Sequence, residues 1–170
     1  MKHTDVNFMN TQSFQIDIPL APSVNEWVQS VSVPGVTLGE ASIDTPFIRQ
    51  PEPGDKLIFS PLSFSFIVDE EMKNFLEMYN WMMALGFPEN LQQYGVMPHQ
   101  VNRVSDLQVT CDINLLVFNN QTKPILKFKL FGCFPIALGD MPLNVAGTDS
   151  ETPICTGDLM YRNYTVESII

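Results

Sequence analysis

The chain has 170 residues, enough to bury a proper core, and we expect a single domain over residues 1–170. Nineteen acidic and nine basic residues give a formal net charge of -10, which argues against a protein that grips nucleic-acid phosphates, although such a charge also simply keeps a protein soluble. Only 16% of the residues are charged, and this low fraction predicts that neighbouring molecules cover much of the surface.

Alternating apolar residues predict strands in SFQIDIP, in the segment from Trp27 to Val33, and in VTLGEASIDTPFI. The turn APSVN separates the first two of these strands, and Pro34-Gly35 separates the second from the third. RQPEPGDK follows, and its two prolines and one glycine predict a stiff, exposed connection. Two further strands, KLIF and PLSFSFIVD, are divided by Ser60-Pro61.

Beyond Asp69 the apolar period changes from that of a strand to that of a helix, which we predict over Glu70–Leu85. Asp69 is the predicted N-cap, and the two glutamates after it suit the positive end of a helix dipole. This chemistry explains the DEE cluster without a bound metal. We expect one helix face to pack on the core. Its apolar residues are Met72, Phe75, Leu76, Tyr79, Met82 and Met83, and Met78 and Trp81 join them.

The second half of the chain begins with residues 89–106, which are polar and predict a long loop that is functional or makes contacts. LQVTCDINLLVFNN then predicts a strand, and a turn leads back into PILKFKLFGCFP. In this second strand we expect Lys127 and Lys129 to face outward and Gly132 to mark a β-bulge. The last predicted strand is LMYRNYTVES.

These seven or eight strands and one helix predict a mainly β fold, a small antiparallel sandwich or barrel with a helix packed against it. The cysteines, Cys111, Cys133 and Cys155, are odd in number and form no CxxC pair, so we expect free, buried thiols in a reducing compartment. The first ten residues lack the apolar stretch of a signal peptide, and the longest apolar run, WMMALGF, is too short for a membrane span. We therefore expect synthesis in a cytoplasm and no membrane partner.

Catalytic and cofactor motifs are missing from the sequence: it contains no HExxH, GxSxG or P-loop pattern. The two histidines, His3 and His99, lie near the N-terminus and in the long loop, away from any nucleophile motif. We expect no enzyme, no metal and no cofactor.

Two other classes of function stay open at this point. A carbohydrate-binding sandwich would use Trp27, Tyr94 or Tyr161 as a stacking platform. An enzyme would have to use Asp69, Glu70 or His99.

Two segments, VSVPGVTLGE and PGDKLIFSPLSFSFIVDEEMKNFLEMYNWM, together resemble the tail-tube proteins of contractile-tailed bacteriophages. In that family a PG turn precedes a passage of the form pGd…f.pl.v.f.vDE…n…i..W. The similarity is strongest over about residues 30 to 85, and outside it only the strand order agrees. The matching positions in this sequence are Pro34, Gly35, Pro53, Gly54, Asp55, Pro61, Leu62, Phe66, Asp69, Glu70, Asn74 and Trp81.

The resemblance implies a virion protein of the phage tail, made in the host cytoplasm. It implies hexameric rings that stack head to tail into a tube, through which the genome is ejected without specific DNA binding. It also implies contacts with sheath, tape-measure and baseplate proteins. The alternative within the same family is a baseplate or neck component that forms a single ring and starts or ends the tube.

The exposed proline-rich segment supplies our candidates for contacts between stacked rings, because it is rigid and ordered in advance. The candidate residues are Pro51, Glu52, Pro53, Gly54 and Asp55. An ordinary hairpin loop is the alternative interpretation. If the subunits surround a channel for DNA, its wall should be negative or neutral, so we expect Lys127 and Lys129 to face the outer surface or a subunit interface.

Overall fold

The computed structural model describes residues 13–86, 110–144 and 152–169. Over these ranges the chain forms two helices, α1 (Pro22–Asn25) and α2 (Lys73–Gly86). The strands over the same ranges are β1 (Phe14–Asp17), β2 (Val28–Ser32), β3 (Val36–Asp44), β4 (Arg49–Phe59), β5 (Leu62–Ile67), β6 (Cys111–Phe118), β7 (Pro124–Leu138), β8 (Ile154–Met160) and β9 (Asn163–Ser168).

The strands pair antiparallel throughout, and the long strand β7 belongs to two layers. Its first half lies between β6 and β9, with β1 beyond β6. Its second half pairs with β8, which continues through β5 to β2. Only β3 and β4 stand apart, as a separate two-stranded sheet. The predicted mainly β antiparallel fold with a flanking helix is confirmed.

A bulge in the middle of β7 lets the strand change layers. Phe131 and Gly132 together lie opposite Asp112, because the register runs from Leu130 to Cys133 while β6 advances by two residues. Gly132 has a φ of 62°, and its N–H donates a hydrogen bond of 3.0 Å to Asp112 Oδ1. The extra residue reverses the in-out alternation, so that both Leu130 and Cys133 are buried. The predicted bulge at Gly132 is confirmed.

The core lies between the two layers. In β5 and β6 every second residue is buried, as expected for strands with one face on a core. Phe64 and Phe66 stack with ring centroids 5.9 Å apart. Helix α2 adds Met78, Trp81 and Ala84 to the same cluster. Each such large apolar side chain contributes roughly 1.5–3 kcal/mol by leaving water.

Helix α2 begins at Lys73 rather than at Glu70, and Asp69 does not cap it. Asp69 Oδ1 has no hydrogen-bond partner in the described part of the chain. The buried Asn74 organises the start of the helix instead. Its Oδ1 accepts from the N–H of Phe75 at 2.8 Å, and its Nδ2 donates to the carbonyl oxygen of Ile67 at 2.7 Å. The helix begins at Lys73, so its N-cap position belongs to Met72, and the prediction of Asp69 as N-cap is wrong.

The predicted core face of α2 is only partly right. Met78 and Trp81 are buried as expected, but they share their face with Asn74 and Ala84. The side chains of Met72, Leu76 and Tyr79 from the predicted stripe are exposed. Both sets have helical spacing, so the period alone could not tell which set faces the core.

Two further predictions need correction. LMYRNYTVES is not one strand: β8 ends at Met160 and β9 begins at Asn163. The break occurs where the Arg162 N–H donates to the carbonyl oxygen of Phe131, because β8 and β9 pair with different halves of β7. The predicted turn APSVN contains the short helix α1, whose Ser23 Oγ donates to Glu77 Oε1 of α2 at 2.7 Å.

Candidate assembly surfaces

β3 and β4 form a hairpin, here called the arm (residues 36–59), which pairs with no other strand in the described ranges. The rest of the described fold is here called the body. The arm's register runs from Val36 opposite Phe59 at its root to Asp44 opposite Arg49 near its tip. Nine residues of strand reach about 30 Å. The arm is therefore a long projection.

RQPEPGDK lies within β4, so the prediction of a connection between strands is wrong, although its predicted exposure is confirmed for all but the partly exposed Gly54. Pro51 and Pro53 are two residues apart, so the positions that lack an N–H point to the same edge of β4. Because β4 pairs only with β3 in the described ranges, that edge has no partner strand and tolerates both prolines.

No residue of β3 or β4 is buried, even though the arm is rich in large apolar side chains. The exposed members are Val36, Leu38, Ile43, Phe47, Ile48, Leu57 and Ile58. A hairpin with no third strand or helix against it is only marginally stable. They form one group near the root and one near the tip, and large apolar side chains exposed in such groups are typical of a surface that binds another molecule.

The tip of the arm is ordered by hydrogen bonds. Thr45 Oγ1 donates to the carbonyl oxygen of Ile48 at 2.6 Å, and the Ile48 N–H donates back to Thr45 Oγ1 at 3.1 Å. Next to this turn Arg49 donates to Ser42 Oγ at 2.9 Å. The turn presents Phe47, which is 94% exposed, at the end of the projection. An aromatic ring held in this way can enter a pocket on a partner at little entropic cost.

The candidate stacking residues lie halfway along the arm. Pro51, Glu52 and Pro53 are exposed and paired with β3. Gly54 lies where the register shifts, and a Cβ there would collide with the carbonyl oxygen of Gly39. Their role in contacts between rings stays a prediction. Sequence reasoning missed the apolar residues on both sides of them, although the run VTL and the run KLIF carried the signal.

The outer surface of the β2-β5-β8 layer, here called the hydroxyl face, has short polar side chains. Ser30 Oγ and Ser65 Oγ are 2.6 Å apart, and Ser63 Oγ donates to Asp158 Oδ1 at 2.6 Å. No lysine or arginine occurs in β2, β5, β8 or residues 134–138. The members of the hydroxyl face are Ser30, Ser32, Ser63, Ser65, Thr156 and Asp158, and sequence analysis did not connect them.

The outer surface of the other layer, here called the lysine face, carries charges of both signs. Lys127 and Lys129 lie on it, opposite in direction to the buried Leu130, so their predicted outward orientation is confirmed. Glu167 lies directly across from Lys127 on β9. Lys129 Nζ lies 5.1 Å from the centre of the Phe131 ring, within range of a cation–π contact.

Three edge strands of the body have one side unpaired within the described residues. β1 pairs only with β6, β2 only with β5, and β9 only with β7. Unpaired strand edges are templates for association with another chain.

Cys111, Cys133 and Cys155 are free and buried, as predicted. Burial raises the pKa of Cys111 and of Cys133 to about 12, and the neighbouring Cys111 adds to the effect on Cys133. The pKa of Cys155 is raised by the same cause. Thiols that stay protonated are poor nucleophiles and poor metal ligands.

Other chemistry finds little support in the described residues. They contain no cluster of histidine, cysteine, aspartate and glutamate that could hold a metal ion, and no helix among them is long and apolar enough to cross a membrane. Tyr161, one candidate for a carbohydrate platform, is only 4% exposed and cannot stack on a sugar. His3, Tyr94, His99 and the predicted loop 89–106 lie outside the described residues.

Residues 4–167 match the family model of the phage tail tube protein. The chain belongs to this family. A curated relative of the chain is the tail tube terminator protein of Enterobacteria phage T4. The two are 25% identical over 167 residues, which cover 95% of this chain and 90% of the relative.

Solved structures show the same fold at low sequence identity. A chain of the anti-feeding prophage baseplate superposes with a TM-score of 0.61 at 13% identity, covering 99% of both chains. A chain of the tube-terminating cap of the same particle gives 0.59 at 15% identity, covering 98% of this chain and 96% of the other. A chain of the sheath–tube complex of an extracellular contractile injection system gives 0.55 at 14% identity, covering 96% and 94%.

Proposed function

We propose that the chain forms a hexameric ring that ends the tail tube, and that its arm binds the adjoining ring. The arm is the observation that carries this proposal. It displays large apolar side chains near its root and near its tip, and the described body leaves them uncovered. A neighbouring ring would remove them from water, at about 25 cal/mol for each Å² of apolar surface.

Terminating the tube, rather than building its length, is supported by the relative from phage T4, which is named a tail tube terminator. The role is structural and needs no catalytic group, metal or cofactor. Its partners are further copies of the chain, the tube and other tail proteins such as sheath, tape measure and baseplate. Its location is the tail of the virion.

A tube subunit whose rings stack head to tail is the second candidate, and it is the role that the sequence analysis put first. The tube-subunit role is favoured if the arm can bind a ring of the same chain, because repeating that contact would extend a tube without limit. A terminator differs in that its rings cannot receive the arms of further copies. The two roles therefore differ in whether the protein polymerises alone.

In such a ring, adjacent subunits would cover the unpaired edges of β1, β2 and β9. A ring that closes uses two different surfaces of each subunit, one on either side. The strand edges would then be covered only in the assembled ring. A surface that neighbouring subunits cover agrees with the low charged fraction of the sequence.

The hydroxyl face is the surface that best suits the wall of a DNA channel. Each phosphate captured by a lysine or arginine releases counterions and holds the polyanion in place. The hydroxyl face has no such cation, and two of its hydroxyls are already bonded to each other while a third is bonded to Asp158. Lys127 and Lys129 lie on the other layer, which we assign to the outside of the ring or to a subunit interface.

Electron microscopy of the concentrated, purified chain tests the proposal. A terminator gives single rings that bind to the ends of tubes from the phage that encodes it. Long tubes from the purified chain alone would reject termination in favour of the second candidate. Monomers at every concentration, with no binding to tube ends, would contradict both.

A shortened arm tests the contact itself. Ala41 and Glu52 are register partners, and the Glu52 N–H points toward β3 because those of its proline neighbours would point away, so replacing residues 42–51 with Asn-Gly closes the hairpin with a turn that suits it. We expect folded rings that no longer bind tubes. Val166→Ala on β9 is the matched control, because Val166 is also exposed and apolar but lies outside the arm. Normal tube binding by the shortened chain would rule out the arm.

A further inference from the structure

The arm joins the body at two chain junctions that lie side by side. β2 leads into β3 through Pro34-Gly35, and β4 leads into β5 through Ser60-Pro61. The Ser60 N–H donates to the Gly35 carbonyl oxygen at 3.0 Å, so the two junctions are tied to each other. Since β3 and β4 pair with no body strand in the described ranges, these junctions, here called the root, set the direction of the arm.

One tyrosine of the body holds each junction. Tyr161 OH donates to the Ser60 carbonyl oxygen at 2.8 Å, across 101 positions of sequence. Tyr164 OH donates to the Pro34 carbonyl oxygen at 3.4 Å, which is a weaker bond. Both tyrosines lie at the break between β8 and β9, which is fixed to β7 by the bond from Arg162 to Phe131.

Three aromatic rings fill the space between these bonds. Phe59, the last residue of β4, has its ring centre 6.0 Å from that of Tyr161 and 5.5 Å from that of Tyr164. The two tyrosine rings are 5.8 Å apart and meet edge to face. Edge-to-face contacts restrain the angle between rings as well as their distance. The aromatic ring of Phe59, at the root of the arm, is therefore held by the body on two sides.

We propose that Tyr161 and Tyr164 are positioning residues that fix the angle at which the arm leaves the body, and thereby aim it at the adjoining ring. This proposal rests on the proposed function. The angle at the root matters because the arm is long. For an arm of about 30 Å, a rotation of about 10° at the root moves the tip by about 5 Å. A displacement of this size takes Phe47 out of any pocket that it fills.

The hydroxyl of Tyr161 is suited to a permanent bond. Burial raises the pKa of Tyr161 to about 12, with smaller contributions from Tyr164 and Cys133. The group thus remains a hydrogen-bond donor at every pH at which a virion assembles. Replacement by phenylalanine keeps the ring and removes only the hydroxyl, so it separates the bond from the packing.

The angle of the arm can be measured with two spin labels, one on each side of the root. Gln50→Cys on the arm and Thr165→Cys on β9 place labels at exposed positions. The native thiols are buried and stay unlabelled. With both tyrosines present we expect one narrow distance distribution by electron–electron double resonance. The double variant, Tyr161→Phe with Tyr164→Phe, should broaden the distance distribution by about 5 Å or more.

Binding to tube ends gives the functional readout. We expect the double variant to form rings normally but to bind tubes about tenfold more weakly, as expected when two hydrogen bonds no longer hold the docking geometry. Tyr79→Phe is the control, because it removes the same atom from an exposed residue of α2, a helix whose main contacts are α1 and β7 rather than the arm. Each single variant serves as a milder version if the double variant unfolds.

The outcomes separate the two proposals. An unchanged distance distribution together with unchanged tube binding would overturn the role of the tyrosines. If the shortened arm abolishes tube binding while both tyrosine variants bind normally, only the tyrosine proposal fails. If the shortened arm binds tubes normally, the proposed function fails, whatever the distance distribution shows.

Discussion

The body and the arm are both built from β-strands with apolar side chains, but they use these side chains in opposite ways. In β5 and β6 of the body every second residue is buried. In β3 and β4 of the arm none is buried. The body thus gains its stability within the described chain. The arm leaves its apolar side chains exposed in the described chain, and under our proposal the adjoining ring covers them.

Matched truncations of leucine should show this difference most strongly. Leu159→Ala in the body removes a side chain that is 0% exposed and should lower the free energy of unfolding by about 2–5 kcal/mol. Leu57→Ala in the arm removes one that is 57% exposed and should change it by less than about 0.5 kcal/mol. Urea unfolding measures both. Equal losses would mean that the arm is part of the monomer's core.

Alkaline pH should weaken the body and spare the arm. The folded state holds the thiol protons of Cys111 and Cys133 to about pH 12, whereas an ordinary thiol releases its proton near the reference pKa of 9.0. Stability is therefore fully present below pH 9 and falls above it, by roughly 1.4 kcal/mol per pH unit for each thiol. Unfolding midpoints from pH 7 to 11 measure the loss. Cys133→Ala should make the decline less steep.

The tip of the arm should matter only for assembly. Phe47→Ala should leave the unfolding free energy unchanged, because the ring is 94% exposed in the subunit. It should weaken binding to tube ends by about 2 kcal/mol, the effect of losing an aromatic anchor. Sedimentation of rings with tubes measures this, and Val166→Ala is again the control. Equal binding by both variants would place the contact elsewhere on the arm.

The last prediction concerns the glycine at the bulge of β7. Gly132→Ala should cost the body about 1–3 kcal/mol, because alanine is strained at a φ of 62° and its Cβ would lie 3.1 Å from the Arg162 side chain. Gly86→Ala at the end of α2 is the control, because a Cβ at Gly86 would have no other atom within 4 Å among the described residues. Calorimetry should show a lower melting temperature for the first variant only. No difference between the two would mean that the bulge relaxes without cost.

The elements that sequence analysis predicted correctly are those whose pattern depends on one neighbouring surface. Alternation located the body strands, and Gly132 located the bulge. Lys127 and Lys129 were assigned to the correct face because they alternate with Phe128 and Leu130. The failures come from hydrogen bonds and strand pairing that the pattern of apolar residues does not show. Asn74 replaced Asp69 at the helix start through its bond to Ile67, and the two halves of β7 divided the last predicted strand.

The candidate surfaces were predicted less completely for the same reason. The exposure of Pro51–Asp55 followed from local composition. The hydroxyl face could not be found in this way, since Ser63 and Asp158 are 95 positions apart and meet only through the pairing of β5 with β8. Nor does local sequence show that Tyr161 reaches Ser60. The single domain over residues 1–170 stays a prediction.

The bulge at Gly132 also has a mechanical consequence for a tube that ejects its contents. β7 runs unbroken from one layer to the other, so the two layers share a covalent backbone as well as a core. A pulling force applied to the lysine face therefore reaches the hydroxyl face through peptide bonds. Separating the layers would require all hydrogen bonds along one half of β7 to break together. We expect the subunit to resist shear between its lysine face and its hydroxyl face far better than bending of its arm.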